Sequence, residues 1–100
     1  LRFLYEGELV GAAEAQAMGL VDFVVPPGEL CDAVAAYARG LCAKPANALA
    51  AIRRCVTVGG ALPFDEGLDL ELEEAVALAT SPNFAEGIAA FLAKRPPRWT

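Results

Sequence analysis

The sequence of 100 residues contains no histidine, and this limits the chemistry that its side chains could perform. A Ser-His-Asp or Cys-His nucleophile system cannot be assembled from these residues, and neither can the common histidine-containing iron sites. Any acid–base chemistry would have to use carboxylates, lysine, tyrosine or cysteine.

Carboxylates are concentrated in one predicted helix. They are Asp65, Glu66, Asp69, Glu71, Glu73 and Glu74. At about 100° per residue these side chains spread around the polar side of that helix, and the first three suit its positive N-terminal dipole. Since catalytic acids are normally buried, a solvated helix face is favoured over a catalytic carboxylate pair.

The three cysteines, Cys31, Cys42 and Cys55, form no CxxC spacing. Without histidine, zinc ligation would need thiolates and carboxylates at unusual spacings, so no metal site is predicted. The cysteines are interpreted as small buried hydrophobic residues in a reducing, cytoplasmic environment.

The chain is acidic, with a formal net charge of −5, and its one basic cluster is Lys94, Arg95 and Arg98. Duplex nucleic acid would be repelled, so no nucleic-acid partner is predicted. No stretch approaches the roughly 20 apolar residues of a membrane span. Residues 1–8 show no signal-peptide pattern, and no membrane association is expected.

Helical periodicity dominates the sequence. An Ala-rich helix is predicted over residues 12–18, followed by Gly19 at a C-cap-like position. Apolar stripes at helical spacing predict three more helices, over residues 29–41, 45–58 and 64–79. Ser81 and Pro82 form an N-cap and first-turn pair for a last helix, which extends to about residue 94.

The β-branched run at residues 20–25 predicts a buried strand. This strand has no partner in the chain, and an unpaired strand would expose its backbone N–H and C=O groups. Hydrophobic residues make up 56% of the sequence, a high share that suggests surface meant for missing sequence or a partner subunit. The chain also begins with Leu rather than Met. We therefore expect a sheet upstream, with residues 1–28 ending its core and residues 29–100 forming a helical oligomerisation region.

Two separated segments carry a recognisable pattern. Residues 5–25 read YEGELVGAAEAQAMGLVDFVV, with Gly7, Glu14 and Gly19 at defining places. Residues 81–97 read SPNFAEGIAAFLAKRPP, an acidic-Gly pair followed by Ala-Phe-x-x-Lys-Arg-x-Pro. Both segments, and the helices between them, resemble the C-terminal portion of the crotonase superfamily, which contains the enoyl-CoA hydratases and isomerases. The resemblance covers essentially the whole chain.

The resemblance implies a fold and a chemistry. Family members have a spiral of repeated ββα units followed by a helical region that assembles trimers, often paired into hexamers. The expected fold class is therefore mostly α, the helical C-terminal region of a crotonase-like α/β spiral, with one strand belonging to an upstream sheet. Substrates are acyl-CoA thioesters, whose enolate is stabilised by an oxyanion hole, and hydratases activate water with two glutamates. Both features precede the segment that matches Leu1, so no catalytic residue is assigned in this chain. No cofactor is expected beyond acyl-CoA as the substrate.

The resemblance assigns CoA binding to Phe91 and Lys94, which would reach the adenine end of CoA across a subunit boundary. Their spacing of three places them on one helical face, where an ammonium and a ring suit a nucleotide polyanion. The alternative is that Lys94 and Arg95 merely complement a helix C-terminus while Phe91 is core. Glu86 is expected to make a structural hydrogen bond in the last helix rather than a contact to substrate. Trp99 is expected to lie in a mobile tail, with a neighbouring subunit as its packing partner. The other aromatic residues interpreted as core are Phe3, Phe23, Tyr37 and Phe64.

The resulting hypothesis is a C-terminal fragment of a cytoplasmic acyl-CoA hydratase or isomerase, inactive alone, that forms the trimer interface and the edge of the CoA site. Decarboxylation and dehalogenation remain open among the family's reactions. The alternative is a stand-alone helical interaction module without catalytic activity.

Overall fold

The computed structural model describes residues 2–100, and 66% of the chain is helical. The α-helices are α1 (Arg2–Glu6), α2 (Ala12–Ala17), α3 (Leu30–Cys42), α4 (Ala46–Thr57), α5 (Phe64–Ala79) and α6 (Pro82–Leu92), and a 3-10 turn at Gly59–Ala61 joins α4 to α5. The expected fold class, a mostly helical C-terminal region of crotonase-type structures, is confirmed.

Local signals account for the helix ends. Gly19 adopts a φ of 74°, in the left-handed region that glycine tolerates, and follows α2 as predicted. Pro45 lies at the N-cap of α4, and Ser81 and Pro82 begin α6. Helix α1 was not predicted, and α6 ends at Leu92 rather than near residue 94.

The predicted strand at residues 20–25 does not form within the part of the chain that the structure describes. A strand requires a hydrogen-bonded neighbour, and no described segment pairs with this run. The run is held instead by a side chain, because Nε2 of Gln16 donates to the carbonyl oxygen of Asp22 at 3.1 Å.

The chain up to Tyr37 forms one compact unit, and Ala38–Thr100 forms a second. In the first unit the ring of Phe23 lies 6.1 Å from the ring of Tyr37, at one side of an open apolar groove of about 690 Å³. The predicted division at residue 28 stays a prediction.

In the second unit α4, α5 and the 3-10 turn pack closely. A Cβ placed on Gly67 would lie 3.0 Å from the carbonyl oxygen of Gly59, so glycine at 67 permits the turn to approach α5. Across the same contact, Nη1 of Arg54 donates to Oε1 of Glu74 at 2.8 Å. The buried hydrophobic residues are Ala51, Leu70 and Ala90.

Most of the large apolar side chains are exposed within this chain. The prediction that Phe23, Tyr37 and Phe64 are core is wrong within the described chain, because they are 71%, 59% and 78% exposed, and the side chain of Phe3 lies outside the described side chains. The prediction of buried cysteines is wrong for Cys31 and Cys42, which are exposed, while Cys55 is half-buried. The physical reason is that amphipathic stripes need a packing partner, and these helices find few within the described residues.

Candidate functional site

Helix α6 is delimited by short-range signals at both ends. Oγ of Ser81 accepts a hydrogen bond from the backbone N–H of Phe84 at 3.3 Å, and Pro82 occupies the first turn, where a missing N–H costs nothing. After Leu92, the N–H of Lys94 donates to the Phe91 carbonyl at 3.1 Å, and the N–H of Arg95 donates to the Ala90 carbonyl at 3.0 Å. This pair of bonds is a Schellman motif.

Lys94 occupies the left-handed position of that motif, with a φ of 50°. The spacing of Phe91 and Lys94 predicts that they share one helical face, but α6 ends at Leu92, so the turn sets the direction of the Lys94 side chain. The Lys94 side chain is exposed and makes no hydrogen bond or ion pair with any residue from 2 to 100. It is a free cation beside a helix end.

Phe91 is 82% exposed within the part of the chain that the structure describes. It lines an open, largely apolar groove of about 400 Å³ in the second unit. Other lining residues include Pro45, Leu78, Phe84, Ile88 and Trp99. An exposed ring and a free ammonium three residues apart in the sequence are groups that suit a ligand with both a flat ring and negative charge. Their assignment to CoA stays a prediction.

The carboxylate of Glu86 accepts hydrogen bonds from the segment that follows α6. Nη1 and Nη2 of Arg95 donate to its two carboxylate oxygens at 2.6 and 2.9 Å, and the backbone N–H of Arg98 donates to Oε1 at 2.6 Å. The hydrogen bond from Arg95, followed by that from Arg98, lowers the pKa of Glu86 from 4.5 to about 2. In return, the carboxylate raises the pKa of Arg95. The predicted structural hydrogen bond of Glu86 is confirmed, and the carboxyl is too acidic to exchange protons near neutral pH.

Residues 95–100 fold back on the second unit and form what we call the C-terminal strap. Nε1 of Trp99 donates to the Ala43 carbonyl at 2.9 Å, and its ring lies against Gly87, where an added Cβ would meet Cη2 at 3.4 Å. The prediction that Trp99 lies in a mobile tail is therefore wrong, because the ring has partners that are distant in sequence.

Asn83 is the residue that sequence reasoning missed. It is 7% exposed and anchors the end of the strap, since its Oδ1 accepts from the backbone N–H and the hydroxyl of Thr100 at 2.9 and 3.2 Å. Its Nδ2 donates to the Thr100 carbonyl at 3.0 Å and to Oδ1 of Asn47 at 2.9 Å. An amide in the first turn of a helix is an ordinary polar residue by sequence, and only the contacts reveal its role.

The acidic run on α5 forms a solvated face, as predicted. Asp65, Glu66, Asp69, Glu71 and Glu73 are exposed. Glu74 is half-buried and paired with Arg54, so the run presents no buried carboxylate pair for catalysis.

Among residues 2–100, no single helix combines the length and the apolar composition that a bilayer crossing requires. One pair of helices, α5 with α6, meets both criteria jointly but is bent by 65° at its junction.

Comparison with known proteins gives one consistent result. A family model described as enoyl-CoA hydratase/isomerase matches residues 2–100. The chain is 38% identical over 93 residues to a Rhodobacter capsulatus protein named "Probable enoyl-CoA hydratase", covering 93% of this chain and 36% of that protein. It is 32% identical over 94 residues to 1,2-epoxyphenylacetyl-CoA isomerase of Escherichia coli, covering 94% of this chain and 36% of the relative.

The helices also superpose on solved structures. The crystal structure of an enoyl-CoA hydratase from Polaromonas sp. JS666 matches with a TM-score of 0.88 at 32% identity, covering 95% of this chain and 37% of that one. The chain therefore spans little more than a third of the length of the proteins it matches.

Proposed function

This chain belongs to the enoyl-CoA hydratase/isomerase family, and from that premise we propose that it is the C-terminal part of a cytoplasmic acyl-CoA hydratase or isomerase and forms the edge of its CoA site. The observation that carries this proposal is that the basic residues after α6 differ in whether the chain itself neutralises their charge. Arg95 is neutralised by Glu86, whereas the Lys94 ammonium and the Arg98 guanidinium make no hydrogen bond or ion pair with the described residues, and Lys94 is the one that the family motif pairs with Phe91.

The chemistry of Lys94 and Phe91 suits the nucleotide end of CoA. CoA carries phosphates and an adenine ring, and the chain as a whole is acidic, so a specific cation is needed to hold it. A free ammonium supplies that cation, and the exposed ring of Phe91 supplies a stacking surface. Acyl-CoA is the substrate in this proposal, and no separate cofactor is assigned to the chain.

The exposed apolar faces support a homo-oligomer, in which this region contributes the trimer interface. Phe64, Leu72, Ile52 and Val56 are large apolar side chains exposed on α4 and α5. Faces of this kind are typical of protein–protein contacts. The same exposure favours the alternative, a helical interaction module without catalytic activity, which would bury these faces against an unrelated partner.

Steady-state kinetics of the full-length protein test the proposal. Lys94→Ala should raise the KM for acyl-CoA about fivefold with little change in kcat, because an exposed ion contact contributes about 1 kcal/mol. Arg53→Ala removes one exposed positive charge from α4 and serves as the matched control, with an expected KM within twofold of the wild type. An unchanged KM in Lys94→Ala would refute the CoA role, and absence of turnover with acyl-CoA thioesters would favour the interaction module.

A further inference from the structure

We propose that Glu86 is a positioning residue for CoA binding. By binding Arg95 and the strap, Glu86 fixes the turn that directs Lys94 toward the ligand, and it keeps the Arg95 guanidinium from binding the ligand. This inference rests on the proposed function of Lys94. It concerns a side chain that touches no ligand itself and acts through the chain on either side of Lys94.

The contact between Glu86 and Arg95 depends on a reversal of the chain at Lys94. If α6 continued as a helix, Arg95 would lie nine residues beyond Glu86, which is about two and a half turns. Its side chain would then leave from the opposite face, roughly 13 Å further along the axis. The bidentate contact at 2.6 and 2.9 Å therefore requires the chain to reverse between them, and the reversal occurs at Lys94. The ion pair and the left-handed conformation of Lys94 are coupled.

Glu86 also holds the strap at two points. Arg95 is held through its guanidinium, and Arg98 through its backbone N–H, both on the same carboxylate. These two contacts follow Lys94 directly, and the helical hydrogen bond from the N–H of Ala93 to the Ala89 carbonyl precedes it. The backbone of Lys94 is thus fixed from both sides, without any bond to its own side chain.

Glu86 pairs with one of the three cations after α6, namely Arg95, whereas the Lys94 ammonium and the Arg98 guanidinium form no ion pair with the described residues. A neutralised Arg95 cannot compete with Lys94 for a phosphate, because its guanidinium already satisfies a carboxylate with two charge-assisted hydrogen bonds. The carboxyl keeps its charge across the pH range of ordinary assays, since its pKa is about 2. The ion pair between Glu86 and Arg95 therefore persists near neutral pH.

The far end of the strap is held independently of Glu86. The bonds from Trp99 to Ala43 and from Thr100 to Asn83 do not involve Glu86, so we expect them to persist when the carboxylate is removed. Loss of Glu86 should therefore loosen the turn around Lys94 without releasing the whole strap, which keeps the protein folded for the test.

The experiment is a double-mutant cycle in the full-length protein, measured as KM and kcat with an acyl-CoA substrate. Glu86→Ala should raise KM about threefold and leave kcat unchanged, an effect that cannot exceed the roughly fivefold of Lys94→Ala. In the Lys94→Ala background, Glu86→Ala should raise KM no further, because the group that it positions is absent. Arg95→Gln should reproduce Glu86→Ala, and Glu86→Gln, which keeps an oxygen acceptor, should recover part of the loss.

Three results would overturn the inference. Glu86→Ala could raise KM by the same factor in both backgrounds, which would indicate a general structural role. It could lower KM, which would show that Glu86 only withholds Arg95 and does not position Lys94, or it could leave KM unchanged. If Lys94→Ala raises KM and one of these results appears, the positioning role alone fails. If Lys94→Ala has no effect, the proposed function fails first.

Discussion

Lys94 is the one non-glycine residue with a positive φ among residues 2–100, and replacing it with glycine and with alanine separates its backbone role from its charge. Both Lys94→Gly and Lys94→Ala remove the ammonium. Only glycine relieves the contact between Cβ and the following carbonyl oxygen that disfavours the left-handed conformation.

The size of the difference follows from the conformation. An L-residue in the left-handed region costs about 1 kcal/mol relative to glycine, since the penalty of roughly 1–2 kcal/mol is offset in part by the greater backbone entropy that glycine loses on folding. Lys94→Gly should therefore be about 1 kcal/mol more stable than Lys94→Ala, which is about fivefold in the folding equilibrium. Lys94→Ala should lie within about 0.5 kcal/mol of the wild type, because the side chain is exposed and has no partner among the described residues.

Urea unfolding of the full-length variants measures the difference as a shift in midpoint at constant slope. In parallel, the KM for acyl-CoA should rise equally in the glycine and alanine variants, since both lack the cation. Lys94→Gly would then have a higher free energy of unfolding than the wild type but a lower affinity for acyl-CoA. A lysine at position 94 therefore favours binding at the expense of stability. If glycine were no more stable than alanine, the left-handed turn would not be the native conformation, and the reasoning on Glu86 would lose its geometric basis.

Two further predictions concern the ion pair and the glycine contact. The lowered pKa of Glu86 means that its ionised form stabilises the fold above its ordinary value of 4.5, and that this contribution is lost as the pH falls toward 2. The difference in free energy of unfolding between wild type and Glu86→Gln should shrink over that interval, and a difference that stays constant down to pH 2 would contradict the pairing with Arg95. Gly40→Ala should stabilise α3 by about 0.5–1 kcal/mol, because no atom lies within 4 Å of the added Cβ. Gly67→Ala should instead destabilise by about 1 kcal/mol, because its Cβ would meet a backbone oxygen at 3.0 Å, and an equal gain at both sites in urea unfolding would refute that contact.

Short-range signals explain what could be predicted about the site. The sequence predicted the N-cap at Ser81, the proline that follows it and the position of Glu86 in a motif. Each of these features depends on residues within a few positions along the chain. The structural role of Glu86 was predicted correctly, although its partners were not.

The rest of the site depends on contacts between distant residues. Trp99 and Ala43 are 56 residues apart, and Asn83 and Asn47 are 36 apart, so no local pattern reports either bond. The exposure of Phe91 likewise depends on what packs nearby and not on its own hydrophobicity.

The sequence by itself determined where five of the six α-helices lie, to within about two residues, which family the chain resembles and that its charge is acidic, because propensity, capping and motif spacing act within a few residues. Only the tertiary structure decided that α6 ends at Leu92 and that Lys94 adopts a left-handed conformation with a side chain unpaired among the described residues. It also decided that Arg95 forms an ion pair with Glu86. The physical reason is that the reversal of the chain at Lys94 brings Arg95 against Glu86. Whether a side chain is paired depends on which residues the fold places next to it.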